Sequence, residues 1–356
     1  MAIFKDKRLI WIGLGVISLL LKQVFAAFPE WTEQLYSRGF FVGFRYLFDY
    51  SLALIPIPLF YIFILGVLYW GITKVIRFFR NPDKLSLPKR LLSAMLTVLA
   101  LIGGLLFVFY WSWGYNYDRL KVEQQLGLTT VKPSLLDLEE MISVEVELAI
   151  TSRSLIPGAD SAALDKQIQP QSSAVIRPLL TKVLQQHGYP TPGRVKVVQL
   201  LPKGILMRFG ITGIYFPFVG EGHIDCALHT LDQPFTLAHE MAHGYGFGDE
   251  ATCNFWAYLA CLVSSKPALQ YAGHFNYLEY LLSTLRRFDK ERYMAVRAQL
   301  PKGIHNDLIA KKKHNAQYPD LVPLSMFNDA YLKSQGVKEG VLSYSRVVLL
   351  VEAYRK

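Results

Sequence analysis

Three long apolar runs occupy the first third of the chain: Leu9 to Phe28, Ser51 to Ile72 and Leu91 to Trp113. About 20 apolar helical residues cross the hydrocarbon core of a bilayer, and each run reaches that length. The pattern therefore predicts three membrane-spanning helices, at 9–28, 51–72 and 91–113, in an anchor covering residues 1–114. A second domain is expected over 115–356. Lys22 interrupts the first run, and its side chain is long enough to snorkel to the interface. The same run has features of a signal peptide, with Lys5, Lys7 and Arg8 before it and Ala26-Ala27 behind it. Phe25 fits a cleavage site poorly and two further spans follow, so an uncleaved anchor is expected.

Beyond the third run the period of the pattern changes. Tyr117 to Lys132 reads as a linker. Ser134 to Ser152 follows helical spacing through Leu135, Leu138, Met141, Ile142 and Val146, and Pro133-Ser134 makes a start signal. Ile156 to Ala174 has the composition of a surface loop, and Arg177 to His187 gives a helix stopped by Gly188 and Pro190. From Arg194 the residues favour strands: Val195 to Leu201, Ile205 to Phe209, and a hairpin of Gly213 to Val219 with His223 to Leu228. Pro217 marks an edge, so Ile214, Tyr215 and Phe216 are the candidate strand beside which an extended peptide would lie. Helices are expected again over 277–288, 291–300, 319–333 and 341–354. The expected fold is α+β, a mostly helical domain with a small sheet behind three transmembrane helices.

Composition sharpens this picture. Hydrophobic residues make up 52% of the 356, high for a soluble enzyme and explained by the spans. The net charge of +10 is concentrated in two places. One is the connection from Lys74 to Arg90, where Lys74, Arg77, Arg80, Lys84, Lys89 and Arg90 face a single acid, Asp83; the other is Lys311 to Lys313. The first is a topology signal that places this loop and the amino terminus in the cytoplasm, and three crossings then put the following domain outside. The lipid bilayer is thus an expected partner and nucleic acid is not. Cys226, Cys253 and Cys261 make no disulfide framework; Cys253 and Cys261 lie too far apart on one helix to bridge, and no C-x-x-C pair suggests a metal.

The chemistry is concentrated in Thr236 to Cys261, where His239, Glu240 and His243 stand in the order H-E-x-x-H. Residues four apart share a helix face, so both imidazoles can bind one divalent ion, with Glu240 beside them as general base. Gly244, Gly246 and Gly248 supply a turn that lets a third ligand return. Asp249 and Glu250 compete for that role. Glu250 is preferred, because it opens the helical run EATCNFWAYLACLV with Asn254 one turn on as a supporting residue, while Asp249 suits a helix cap. Tyr344, Arg346, His223 and His229 are candidates for stabilising an oxyanion.

The segments HEMAHGYGFGDEATCNFWAYLAC, GIYFPFVGEGHID, WGYNYDR and YLKSQGVKEGVLSYSRVV together resemble an uncharacterised bacterial membrane-protein family grouped with the zincin metallopeptidases, close to the gluzincin plan. The resemblance implies a zincin-like domain in the bacterial inner membrane, with Zn2+ held by His239, His243 and Glu250. The resemblance gives no substrate; a peptide or protein, hydrolysed through Glu240, is the expected substrate because the architecture is peptidase-like. A membrane-tethered scaffold with a structural zinc or an inactive site is the alternative.

Overall fold

The computed structural model describes residues 6–80, 86–159, 163–164, 171–321 and 346–356. The chain is mostly helical. Three helices are long and apolar enough to cross a membrane: α1 (Arg8–Ala27), α3 (Leu59–Arg80) and α4 (Leu87–Ser112). Between the first two, Pro29–Trp31 and wider π-helical turns over Thr32–Phe40 lead into α2 (Phe41–Asp49). The second span begins at Leu59 and ends at Arg80, where the apolar pattern alone put it at Ser51 to Ile72. Pro56 and Pro58 explain the shift. Neither has an N–H to give to a helix, and each drives the preceding residue toward extended backbone, so the helix starts after them. Its first amide, on Leu59, donates to the carboxylate of Glu221 at 2.8 Å. The later end brings Lys74, Arg77 and Arg80 onto the last turns, where positive charge suits the helix dipole.

By packing, the chain divides into two units. The first comprises residues up to Arg119 together with Phe216–Glu221. Its helices α1 and α4 cross at two glycines. A Cβ on Gly15 would overlap the Gly103 backbone, and one on Gly103 would overlap the Trp11 carbonyl. Apolar side chains gain little from associating inside lipid, so backbone approach of this kind is what joins the helices. Polar ties finish the unit. Tyr36 donates to the Tyr110 carbonyl at 2.9 Å, Tyr115 to the Ser18 carbonyl at 3.1 Å, and the Arg119 guanidinium grips Glu33. Buried Arg45 pairs with Asp49 and donates to the Gly220 carbonyl at 3.0 Å, while Phe216 and Phe218 pack on Phe60 and Phe63.

The second unit holds α5 (Leu135–Ser154), α6 (Ser173–Gln186), the strands β1 (Lys196–Leu200), β2 (Gly213–Phe216, whose last residue belongs to the first unit) and β3 (Glu221–Asp225), then α7 (Gln233–Gly244), α8 (Glu250–Leu262), α9 (Pro267–Phe288), α10 (Lys290–Gln299), α11 (Lys302–Asn315) and α12 (Arg346–Arg355). Ser134 caps α5 in a reciprocal box with Asp137. The core gathers around α8, which is apolar on nearly every side; Phe255, Trp256, Ala257 and Tyr258 are all buried, and α6, α7, α9 and α12 pack against it. Helix α9 begins at Pro267, ahead of the predicted Tyr277. Helix α11 was not expected at all, because its face is mostly charged. The predicted helix over 319–333 and the start of the one at 341 lie outside the described residues, apart from 319–321, which are not helical.

The three strands order as β1-β3-β2, which makes β2 an edge. Ile205 to Phe209 is not the predicted strand. Its apolar residues sit in turns between Gly204 and Gly210, both at positive φ, and Met207–Phe209 forms a 3-10 turn. The cause is Asp225 at the end of β3. Its buried carboxylate accepts the backbone N–H groups of Gly204, Leu206, Met207 and Ala227 at 2.7 to 3.2 Å, which draws the segment into a loop. The three cysteines are free.

Two outcomes test these packing arguments in full-length protein in detergent. Gly103→Leu should destabilise the α1–α4 pair by roughly 1–3 kcal/mol, read as a lower unfolding midpoint, and an unchanged midpoint would contradict the close crossing. Asp225→Ala strands several buried amides, each worth about 1–3 kcal/mol when unsatisfied, and should lower the midpoint strongly, whereas a variant as stable as the parent would show that the loop holds itself.

Candidate metal centre

Helix α7 carries His239 and His243 one turn apart, and both rings leave the same face. The helix ends at once. Gly246 takes a φ of +88°, a conformation that costs glycine little, and the turn sends the chain back so that α8 starts beside the histidines. Asp249 caps α8, accepting from the Thr252 N–H at 2.8 Å. Its other oxygen is bonded to Arg346 at 2.7 Å. Of the two competing acids, Asp249 is therefore the cap.

Glu250 faces the imidazoles. Its carboxylate lies 3.1 Å from His239 Nε2 and 3.7 Å from His243 Nε2, and the two Nε2 atoms are 3.1 Å apart. The far side of each ring is occupied. His243 Nδ1 donates to the Phe247 carbonyl at 2.7 Å, and His239 Nδ1 meets Asn254 Oδ1 at 2.8 Å. With each Nδ1 facing an oxygen, both Nε2 atoms point inward, and a cation bound there would take their lone pairs in place of a proton. His239, His243 and Glu250 form a group able to hold a cation, with ligand atoms within 4.8 Å of one another.

The electrostatics are those of a site awaiting positive charge. Burial opposes an anion at Glu250, yet the facing imidazoles more than reverse this and hold its carboxyl well below the usual range. Burial likewise opposes a charged His243, and the neighbouring Cys253 and the Glu250 carboxylate outweigh it, raising the imidazole well above its ordinary value. Glu240 responds the other way. Burial pushes its carboxyl up to about 7 against the pull of His239 and His243. Its Oε2 is buried with no hydrogen-bond partner among the described residues. A buried carboxylate oxygen left unpaired is costly, and the cost is relieved by a water or a reacting group beside it.

The sheet makes room for Glu240 with glycine. A Cβ on Gly213 of β2 would overlap its carboxylate, and a Cβ on Gly222 of β3 would press on its Cβ. The predicted edge strand thus meets the site through Gly213, a residue the sequence reading passed over. Ile214 is exposed and Tyr215 buried, while Phe216 packs on Phe60 and Phe63 in the first unit.

Several oxyanion candidates have other positions. His223 is buried in β3 next to Gly222; strand neighbours face opposite ways, so it points away from Glu240. Burial and then Lys196 lower its pKa to about 4, which leaves the ring neutral. His229 accepts from the Leu231 N–H at 3.4 Å in the turn ahead of α7, and its ring lies against His314. Arg346 bonds Asp249 and, at 3.0 Å, Glu123. It acts on the helix cap rather than on the cation group. Tyr344 lies outside the described residues.

Two contributors were not foreseen. The Phe247 carbonyl orients His243, and no side-chain pattern announces a backbone acceptor. Cys253, its thiol pushed up to about 12 by burial and so protonated, lies 3.4 Å from both that carbonyl and His243 Nδ1. Its spacing of ten from His243 is a signal only once the intervening turn is known.

No curated protein and no solved structure matches the chain. A family model does match it, over residues 36–351, a range that takes in the histidine helix, the glycine turn, α8 and the second and third apolar helices. With the match extending across nearly all of these elements, the chain belongs to the DUF3810 family, described as proteins of unknown function.

Proposed function

We propose that the chain is a membrane-anchored, zinc-dependent metallopeptidase of the zincin type, acting on peptide bonds outside the cytoplasm from the bacterial inner membrane. The observation that carries the reading is the inward convergence of His239 Nε2, His243 Nε2 and the Glu250 carboxylate, with each Nδ1 anchored to an oxygen behind it. Two histidines and one glutamate are a catalytic zinc set rather than a structural one, since structural sites favour four closed ligands rich in cysteine. The buried, unpartnered oxygen of Glu240 fits the same reading, because a structural zinc needs no base. The anchor rests on the three apolar helices and the orientation on the basic residues around Lys74 to Arg90.

Zinc bound by these residues would supply the Lewis acidity that polarises the scissile carbonyl and acidifies water. The chain's own part follows from its geometry. Glu240 takes a proton from the attacking water, the water oxygen bonds to the carbonyl carbon, and the carbon–nitrogen bond breaks as Glu240 passes that proton to the departing amine. Gly213, having no Cβ, leaves room for the Glu240 carboxylate itself. Asn254 and the Phe247 carbonyl hold the imidazoles in register.

The test is metal analysis of the purified full-length protein alongside hydrolysis of a broad peptide library. About one zinc per chain is expected, removed by chelators and by His239→Ala. Glu240→Gln should retain the zinc and lose at least about a hundredfold in rate. Zinc bound in both forms with no hydrolysis by either would favour the tethered scaffold, and protein devoid of metal after reconstitution would end both readings. Asn254→Ala should weaken zinc affinity about 10–100-fold without removing a ligand, measured by chelator competition, and unchanged affinity would show that His239 needs no support.

A further inference from the structure

Attack on a carbonyl carbon leaves negative charge on its oxygen, and catalysis gains most from a donor already aimed at that charge. His223 points away from Glu240 and Arg346 is engaged with Asp249 and Glu123, so neither fills this need. A hydroxyl on α9 is better placed. Phe235, His239 and His243 follow one another along α7 at intervals of four, which puts them on one face. The ring of Tyr280 packs on Phe235, 6.1 Å between centroids, and so lies on the ligand side of α7, one turn ahead of His239. Tyr280 is half-buried and its hydroxyl has no hydrogen-bond partner among the described residues.

Its neighbours on α9 are committed elsewhere. Asn276 donates to the Leu231 carbonyl at 3.0 Å, Glu279 pairs with Lys311, and Tyr277 is fully buried. Burial first, and then the carboxylates of Glu250, Glu279 and Asp232, raise the pKa of the Tyr280 phenol above the ordinary tyrosine value, so it keeps its proton and remains a donor across neutral pH.

We propose that Tyr280 contacts the substrate, its hydroxyl donating to the scissile carbonyl oxygen as charge develops there. The assignment rests on the peptidase reading and adds to it the identity of the donor. In the reaction the tyrosine proton stays on the phenol; only the hydrogen bond strengthens as the carbonyl becomes tetrahedral. A hydroxyl donor in this position also predicts tight binding of ligands that carry a tetrahedral anion.

The full-length, zinc-loaded protein and its Tyr280→Phe variant are compared for zinc content, unfolding midpoint, hydrolysis and binding of a set of phosphinic pseudotripeptides with varied side chains. Tyr280→Phe is expected to keep zinc and midpoint, to bind the phosphinates at least about tenfold more weakly, and to lower kcat by about a hundredfold with KM little changed. Tyr280→His, which restores a donor, should regain part of the phosphinate affinity. Equal phosphinate affinity and kcat in parent and Tyr280→Phe would overturn the role of Tyr280 and leave the peptidase reading standing. Loss of zinc or of fold in Tyr280→Phe, with no recovery of phosphinate binding in Tyr280→His, would overturn it in favour of structural support. A parent protein that holds zinc yet binds no phosphinate and cleaves no peptide would overturn both proposals together.

Discussion

Two imidazole nitrogens held 3.1 Å apart and facing inward, with a carboxylate at the same point, form a group that coheres only around positive charge, a proton or a metal ion. Nothing about a helix requires such an arrangement. It persists because each ring is held from behind, His243 by a backbone carbonyl and His239 by an amide, so neither can turn its Nε2 away without breaking a buried hydrogen bond. The surrounding helices serve this constraint. Helix α7 must be buried to shield the group, α8 must begin close by, and the turn between them must reverse within a few residues, which is why Gly246 takes its left-handed torsion.

Close backbone approach is the device used throughout. In the second unit Gly213, Gly222 and Gly244 let the sheet lie directly on α7: a Cβ at the first two would strike Glu240, and one at the third would strike Val195. Backbone therefore lines one side of Glu240, whose carboxyl group is buried. That burial raises its pKa toward 7. In the first unit Gly15 and Gly103 do for a helix pair what these glycines do for a helix on a sheet, in a setting where lipid removes the usual gain from apolar contact.

Several buried charges are paired. Asp307 meets Arg153 at 2.9 Å, and Glu145 accepts from His274 at 2.8 Å beside Tyr258 and Arg355. Such pairs add little net stability because both partners give up hydration, but removing one would strand the other, so they restrict the helices to one arrangement. Glu240 differs from these acids in having an oxygen with no partner in a buried place.

Apolar length alone was enough to find three helices long enough to cross a membrane, and the four-residue spacing of His239 and His243, followed by glycine and acid, was enough to find the group able to hold a cation. Both are local signals, set by helix rise and by which residues share a face. The onset of the second span at Leu59 was also legible in Pro56 and Pro58, once their missing amides outweighed the apolar count. What the chain order could not reveal were contacts made at long range: the Asp225 carboxylate that turns Ile205 to Phe209 from strand to loop, the Phe247 carbonyl behind His243, and Gly213 against Glu240. The choice of Glu250 over Asp249 is of the same kind. Either acid can reach a metal from that turn, and only the packing of α8 on α7, with Arg346 and the Thr252 amide drawing Asp249 away, leaves Glu250 facing the histidines.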